Sequence, residues 1–520
     1  MPPRWRRVPV AVAAAAAVVV AGALGPVGMV GPVGPSAANA QGPVTVGPPV
    51  TVVDGSAAGD AGASSPVPPV TPAVPPTLPP VPVGVPVGTV PGTVPPVPGT
   101  VPPVPGTVPP VAGSPDGAPV NPGPVPGGAS TTAAPGPPGS PRPGPARTAA
   151  ELSERVRAIL ATAPGSVSAL VTIDGIGRVV DIDSTTARPP ASTLKVLTAG
   201  TALLTLGAEH RFVTAVRATG ALGSNGVLLG DLVLVGGGDP TLTTADLAGL
   251  AAQVAAAGVR TVNGRLAVDD ARYDQMSPAV GWKPSFLPGE VGRVSAFLVD
   301  GNRRNEADPS VANLQRLRTA LSARGVTVGG ALVRSAPNGE SRVVAVRSSQ
   351  PLADIVVHML KKSDNTDAEV VLREIGALSG VGSLRNGIDG VERTLDRFGL
   401  ARPVLHDGSG LSSANRVSAD LLVSWLTVMA GSKAADAFRT ALPTACVDGT
   451  LKGRMCNTSA AGNLRAKTGY INNVVTLAGY ATTAGGRTVT FAVLGSGLRS
   501  VSTARTVIDR AMVEVTSSLL

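Results

Sequence analysis

Residues 41–148 rule out a single compact domain spanning the whole chain. The tract is dominated by Pro, Gly, Val, Ala, Ser and Thr. Val90-Pro91-Gly92-Thr93-Val94-Pro95-Pro96 recurs at Val97 to Pro103 and again at Val104 to Pro110. Proline removes a backbone donor and fixes φ, so such a run favours solvated, extended polyproline II over sheet or helix. It reads as a semi-rigid spacer rather than a folded repeat array. A core must therefore be sought elsewhere in the 520 residues.

Ahead of the tract, residues 1–40 have the organisation of a secretory signal. Arg4, Arg6 and Arg7 form the positive end, Val10 to Leu24 an apolar run, and Ala38-Asn39-Ala40 a small-residue cleavage site before Gln41. The alternative is an uncleaved membrane anchor, for which the apolar run is short. Either way the chain is expected to be exported, to the cell envelope or beyond. Cys446 and Cys456 are the only cysteines. In an exported chain they are expected to form a disulfide, which would stabilise by roughly 2–3 kcal/mol on a chain-entropy argument. The alternative is two buried thiols.

Net charge is +9, of which residues 1–148 carry five Arg against three Asp. Nucleic-acid binding would call for basic clusters interleaved with aromatic residues, and aromatics make up only 2% of the chain. Nucleic acid is therefore not expected as a partner. A mild attraction to an anionic surface suffices to account for the charge. Membrane contact is expected only through an uncleaved N-terminal segment.

Hydrophobic periodicity resumes at the end of the spacer. Residues 149–162 read as a helix with Leu152, Val156, Ile159 and Leu160 on one face. Ser168 to Ile173 and Gly177 to Asp183 read as a strand pair around Asp174-Gly175. From 207 to 345 short strands and glycine turns dominate. Helical period returns at Leu352 to Lys361, Thr366 to Ala377, Gly387 to Phe398 and Ser418 to Met429. Val474 to Thr482 and Arg487 to Leu494 read as strands, and Thr503 to Leu519 as a helix. The expected class is α/β (α+β): an antiparallel sheet flanked by helices. It is built from 149–206 and 346–520, with a mostly β module inserted at 207–345.

Three short motifs carry chemistry. In Ser192-Thr193-Leu194-Lys195, Pro189 and Pro190 stop the chain just before the serine, which places it at a helix start. Residues i and i+3 share a helix face, so hydroxyl and amine can meet. Lysine serves as a base only when neutral, which burial or a nearby cation favours. Ser363-Asp364-Asn365 follows an amphipathic helix and offers a hydroxyl and a carboxamide. Lys467-Thr468-Gly469 precedes apolar strand sequence and, on an edge strand, offers a cation, a hydroxyl and open backbone. Each motif alone is more often a helix cap, a polar turn or a strand end.

In this order the three form the signature of class A β-lactamases and penicillin-binding proteins. The long gap between Ser192 and Ser363 resembles the low-molecular-mass class C penicillin-binding proteins. These are the PBP4-like D-alanyl-D-alanine carboxypeptidase/endopeptidase family, peptidase family S13. Gly230 to Leu242, Asp407-Gly408-Ser409-Gly410-Leu411-Ser412 and Asp448-Gly449-Thr450-Leu451 are similar to it as well. The resemblance covers about residues 150–520 and implies a penicillin-binding-protein/serine β-lactamase-like transpeptidase fold. It implies a serine D,D-peptidase acting on peptidoglycan stem peptides, without a cofactor and with β-lactams as covalent inhibitors. Carried over, Ser192 is acylated and Lys195 is its base. Ser363 and Lys467 pass the proton to the leaving D-alanine. Asn365 binds the penultimate peptide unit, Thr468 with Lys467 grips the terminal carboxylate, and the N–H groups of Ser192 and Tyr470 form the oxyanion hole. Gly469 leaves the strand open. Tyr470 stands where a smaller residue is expected.

A Ser-His-Asp hydrolase is poorly supported by the three histidines, His210, His358 and His406. With two cysteines and these scattered histidines no metal site is expected. A β-lactamase is the enzymatic alternative, and its hydrolytic glutamate would have to be Glu392, in a segment that reads as a solvated helix face. A catalytically silent wall-binding protein is the non-enzymatic alternative.

Overall fold

The computed structural model describes residues 144–520. The signal segment and the spacer up to residue 143 lie outside the described residues. The last spacer residues are tied to the folded part: Ala146 is buried and its carbonyl accepts the Leu519 N–H. The Thr148 hydroxyl then accepts the Glu151 N–H and caps the first helix.

In chain order the elements are α1 (Ala149–Leu160), β1 (Ser166–Ile173), β2 (Gly177–Ile182) and α2 (Lys195–Thr205). Then come β3 (Val213–Thr219), β4 (Leu232–Val235), α3 (Thr244–Ala256), β5 (Leu266–Asp269), α4 (Pro309–Ser322), β6 (Leu332–Arg334) and β7 (Ser341–Ser348). The chain continues through α5 (Leu352–Lys362), α6 (Asn365–Ala377), α7 (Leu384–Arg397), α8 (Ala419–Ala430) and α9 (Ala435–Ala441). It closes with β8 (Arg465–Ile471), β9 (Val474–Thr482), β10 (Thr488–Ser496) and α10 (Val501–Ser517).

The main sheet is antiparallel, in the order β8-β9-β10-β1-β2. Side chains alternate across it, as the two-residue strand period requires. Leu170, Ala478, Tyr480, Ala492 and Leu494 face a core shared with α2, α5, α6 and α8. Ala169, Val171, Ile173, Leu477, Phe491 and Val493 face the opposite core, closed by α1 and α10. With few aromatics, both cores are filled mainly by Ala, Val and Leu. The first and last helices of the described chain thus lie together under the sheet, and β8 is left as an edge.

The inserted segment forms a second sheet, β7-β3-β4-β5-β6, in which β4, β5 and β6 run parallel. Its core is shared with α3 (Leu247, Leu250, Val254) and α4 (Leu314, Leu317, Leu321). The expectation of a mostly β insertion therefore needs these two helices added. Parallel neighbours require crossover connections, and α3 and α4 provide them. The strands are only three or four residues long where the parallel part begins and ends, which hid the alternation in the sequence.

Candidate active site

Pro189 and Pro190 are followed by a 3-10 turn, Ala191–Leu194, which runs into α2 at Lys195. Ser192 is therefore one turn ahead of the regular helix rather than its first residue. Several contacts hold that turn. The Pro190 carbonyl accepts the Thr193 hydroxyl at 2.6 Å and the Thr476 hydroxyl of β9 at 2.8 Å. Two glycines press on it from distant segments. A Cβ on Gly469 would collide with Thr476 Oγ1 and lie 2.8 Å from the Pro190 carbonyl oxygen. Gly410, at φ +83°, has no room for a Cβ against the Ala191 carbonyl.

Lys195 is completely buried. Its Nζ lies 3.1 Å from Ser192 Oγ, 2.7 Å from Asn365 Oδ1 and 2.7 Å from the Ser409 carbonyl oxygen. Asn365 Nδ2 donates to the Glu290 carbonyl at 3.0 Å, which fixes which amide atom faces the lysine. Oδ1 and a peptide carbonyl can only accept, so they take two N–H bonds of the amine. The third neighbour is a hydroxyl, which can donate as well as accept. A neutral Lys195 therefore turns its lone pair to the Ser192 proton without breaking any other contact. Burial brings its pKa down to about 8, against the upward pull of Asp407, Asp364, Glu369 and Asp367.

Ser363 terminates α5 in the left-handed conformation (φ 59°, ψ 34°), which costs a non-glycine residue about 1–3 kcal/mol. The sharp turn lets Asp364 cap α6 by accepting the Asp367 N–H at 3.0 Å. Asn365, the first residue of α6, is thereby aimed at Lys195. Ser363 faces the other way and accepts a hydrogen bond from Lys467 Nζ at 3.0 Å. Lys467 also donates to the Thr468 carbonyl at 2.7 Å and is fully buried. Burial, and then the nearby Lys195, push its pKa well below the usual lysine value. The Thr468 hydroxyl donates to Thr450 Oγ1 at 2.8 Å, and the Tyr470 side chain is 56% exposed.

The cleft thus has a helix wall (Ser192, Lys195, Asn365) and a strand wall (Lys467, Thr468, Gly469), with Ser363 between them. All three motifs converge. Cys446 and Cys456 are joined by a disulfide across a ten-residue separation. The ring they close contains Thr450.

Other residues at the site were not singled out from sequence. Asp407 accepts from the Gly410 and Ser412 N–H groups, Asn415 Nδ2 and Trp282 Nε1. Glu369 accepts from the Gly408 and Ser409 N–H groups. The sequence likeness of the Asp407–Ser412 and Asp448–Leu451 segments to the family marks the loops but not these contacts. His358 lies with Asp364 and Asp367 so that their ligand atoms fall within 4.8 Å of one another. These groups are already engaged: His358 bonds Asp367 at 2.7 Å, and Asp364 caps α6 and pairs with Arg303. Glu392 lies on α7, where its carboxylate pairs with Arg402 at 3.2 Å.

The fold that carries this site is that of a peptidase family. The model of the D-Ala-D-Ala carboxypeptidase 3 (S13) family matches residues 152–304 and 298–519, and the chain belongs to that family. It is 32% identical to a D-alanyl-D-alanine carboxypeptidase of Actinomadura sp. (strain R39), over 64% of this chain and 78% of the relative. The fold is similar to that of the crystal structure of penicillin binding protein 4 (dacB) from Haemophilus influenzae. That match has a TM-score of 0.63 and 23% identity, covering 68% of this chain and 98% of the other. A second structure of that protein, complexed with a β-lactam, matches with a TM-score of 0.58 and 25% identity, over the same shares.

Proposed function

We propose that this chain hydrolyses the terminal D-alanyl-D-alanine bond of peptidoglycan stem peptides through an acyl-enzyme on Ser192, and that β-lactams acylate the same oxygen. The observation that carries the reading is the three-contact cage of Lys195, in which only the serine hydroxyl can supply a proton to the amine. Ser192 Oγ attacks the carbonyl carbon of the penultimate residue as its proton passes to neutral Lys195. The N–H groups of Ser192 and Tyr470 receive the developing oxyanion. As the C–N bond breaks, Ser363 gives its proton to the leaving amine and recovers one through Lys467, and D-alanine departs. Water then attacks the ester, its proton passing through Ser363 to the Lys467 that gave one up, while Lys195 returns its proton to Ser192 Oγ as the ester bond breaks. Thr468, held by Thr450, and Lys467 receive the substrate carboxylate. Asn365 holds the peptide unit before the scissile bond.

Glu392 is bound to Arg402, so the residue that a β-lactamase reading would need as a second base is occupied elsewhere. A penicillin adduct keeps its leaving group tethered, and its decay is expected to be slower than peptide turnover by orders of magnitude. No helix among the described residues is long and apolar enough to cross a membrane, and export rests on the N-terminal sequence.

The test is labelled penicillin and a diacyl-D-alanyl-D-alanine peptide on purified protein. Wild type should take label and release D-alanine, while Ser192→Ala should stay folded and do neither. Label on folded Ser192→Ala, or rapid penicillin turnover without D-alanine release, would refute the reading.

A further inference from the structure

Lys195 rests on a peptide group that a buried carboxylate holds from behind. Glu369 lies one turn along α6 from Asn365, so both side chains share a helix face. It is 1% exposed, and its Oε1 accepts the N–H groups of Gly408 and Ser409, both at 2.9 Å. The carbonyls of the same two residues point to α2. Gly408 accepts the Thr198 hydroxyl at 2.8 Å, and Ser409 accepts Lys195 Nζ at 2.7 Å. The loop is thus clamped between a carboxylate on one helix and a hydroxyl and an amine on another.

We propose that Glu369 is a positioning residue for Lys195. It fixes the Gly408-Ser409 peptides so that one carbonyl meets the amine, and its carboxylate is one of the anions that face that amine. This rests on the reading of Lys195 as the base. Other charges face the pair. Asp364 and Asp367 come from α6, with Arg303 and His358 bonded to them. Asp407 comes from the loop and Lys467 from β8. Arg373, four residues along α6, lies 3.4 Å from Glu369 and also contacts Asp274. Burial and Asp407 push the Glu369 pKa up, while Arg373, Ser409 and the Gly408 N–H hold it down.

Glu369→Gln separates the two roles, because a carboxamide oxygen still accepts both N–H groups but carries no charge. Losing an anion disfavours the ammonium, so the Lys195 midpoint falls, by about half a unit to one unit. Glu369→Ala removes the clamp, and acylation should drop about 10- to 100-fold at every pH. Two readouts are used: penicillin acylation rate against pH, and the pH titration of Lys195 Nζ by 15N-lysine NMR, assigned with Lys195→Arg. The expected result is a lower midpoint in Glu369→Gln by both, with its plateau rate within about threefold of wild type. An unmoved NMR midpoint in Glu369→Gln overturns the inference even if Glu369→Ala fails to fold. A folded Glu369→Ala that acylates at the wild-type rate overturns it too. If the NMR midpoint moves while wild type takes no label, the role of Glu369 on Lys195 stands and the catalytic reading fails.

Discussion

On the helix wall of the cleft, Lys195 is buried among Asp407, Asp364, Glu369 and Asp367; on the strand wall, the equally buried Lys467 meets Ser363, a peptide carbonyl and the field of Lys195. Desolvation acts on both in the same direction. The anions partly offset it at Lys195, which keeps its proton up to about pH 8. At Lys467 nothing offsets it, and the second lysine adds to it. Two lysines of equal burial are thus set for different tasks by their neighbours alone. On the proposed reading the helix wall holds a base close to its working pH. Among the described residues no carboxylate pairs with Lys467, and the carboxylate of a peptide terminus is the chemistry that would supply a counter-ion.

The hardest test of this contrast is the pair Lys195→Arg and Lys195→Ala. Arginine keeps the cation but cannot yield its proton at working pH. Both variants are expected to lose about 10³-fold or more in acylation rate, measured by stopped-flow labelling. An arginine variant near the wild-type rate would make Lys195 a mere cation and erase the difference between the walls.

Next in size is the pH profile. With the amine required neutral, acylation should rise with pH and level off above about 8. Below that it falls about tenfold per unit, so near pH 6 it should be down about 100-fold. A flat profile between 6 and 9 would assign the proton transfer elsewhere.

Lys467→Ala probes the other wall. Loss of a charge-assisted contact predicts a fall of about 10- to 100-fold in kcat/KM for a peptide with a free C-terminal carboxylate. The matching C-terminal amide lacks the charge-assisted contact and should lose less, keeping only the part of the loss that comes from the proton Lys467 returns to Ser363. Equal losses on both peptides would deny the strand wall its charge preference. The smallest expected effect belongs to Thr450→Val, which removes the partner of the Thr468 hydroxyl. A few-fold rise in KM with kcat unchanged is expected, since one neutral hydrogen bond contributes about 1 kcal/mol.

The sequence made the frame of this site readable because its parts are short and local. Pro189-Pro190 announced the turn before Ser192, and the amphipathic pattern of α5 ended at Ser363. The alternation in β9 and β10 located the sheet beside Lys467. The carboxylates were illegible for a physical reason. Glu369 and Asp407 act on backbone N–H groups of the Gly408–Ser412 loop, and any sequence supplies such groups, so no residue pattern marks the pairing. His358 likewise looked isolated until α5 and α6 brought it to Asp367. In the insertion, strands of three or four residues are too short for alternation to register, and Ala-rich α3 offers little contrast between its faces.

The turn that carries Ser192 is enclosed by backbone from far along the chain. Gly410 and Gly469 touch it without side chains, and Thr476 reaches Pro190 across 286 residues of sequence, as Ser409 reaches Lys195 across 214. Contacts of such separation form late, because the entropy of closing large loops must be met first. On the proposed mechanism, a chain still being synthesised or partly unfolded would carry Ser192 as an ordinary alcohol. Reactivity toward amides and lactams would then arrive only with the last strands of the sheet, and completion of folding would itself be the activation step.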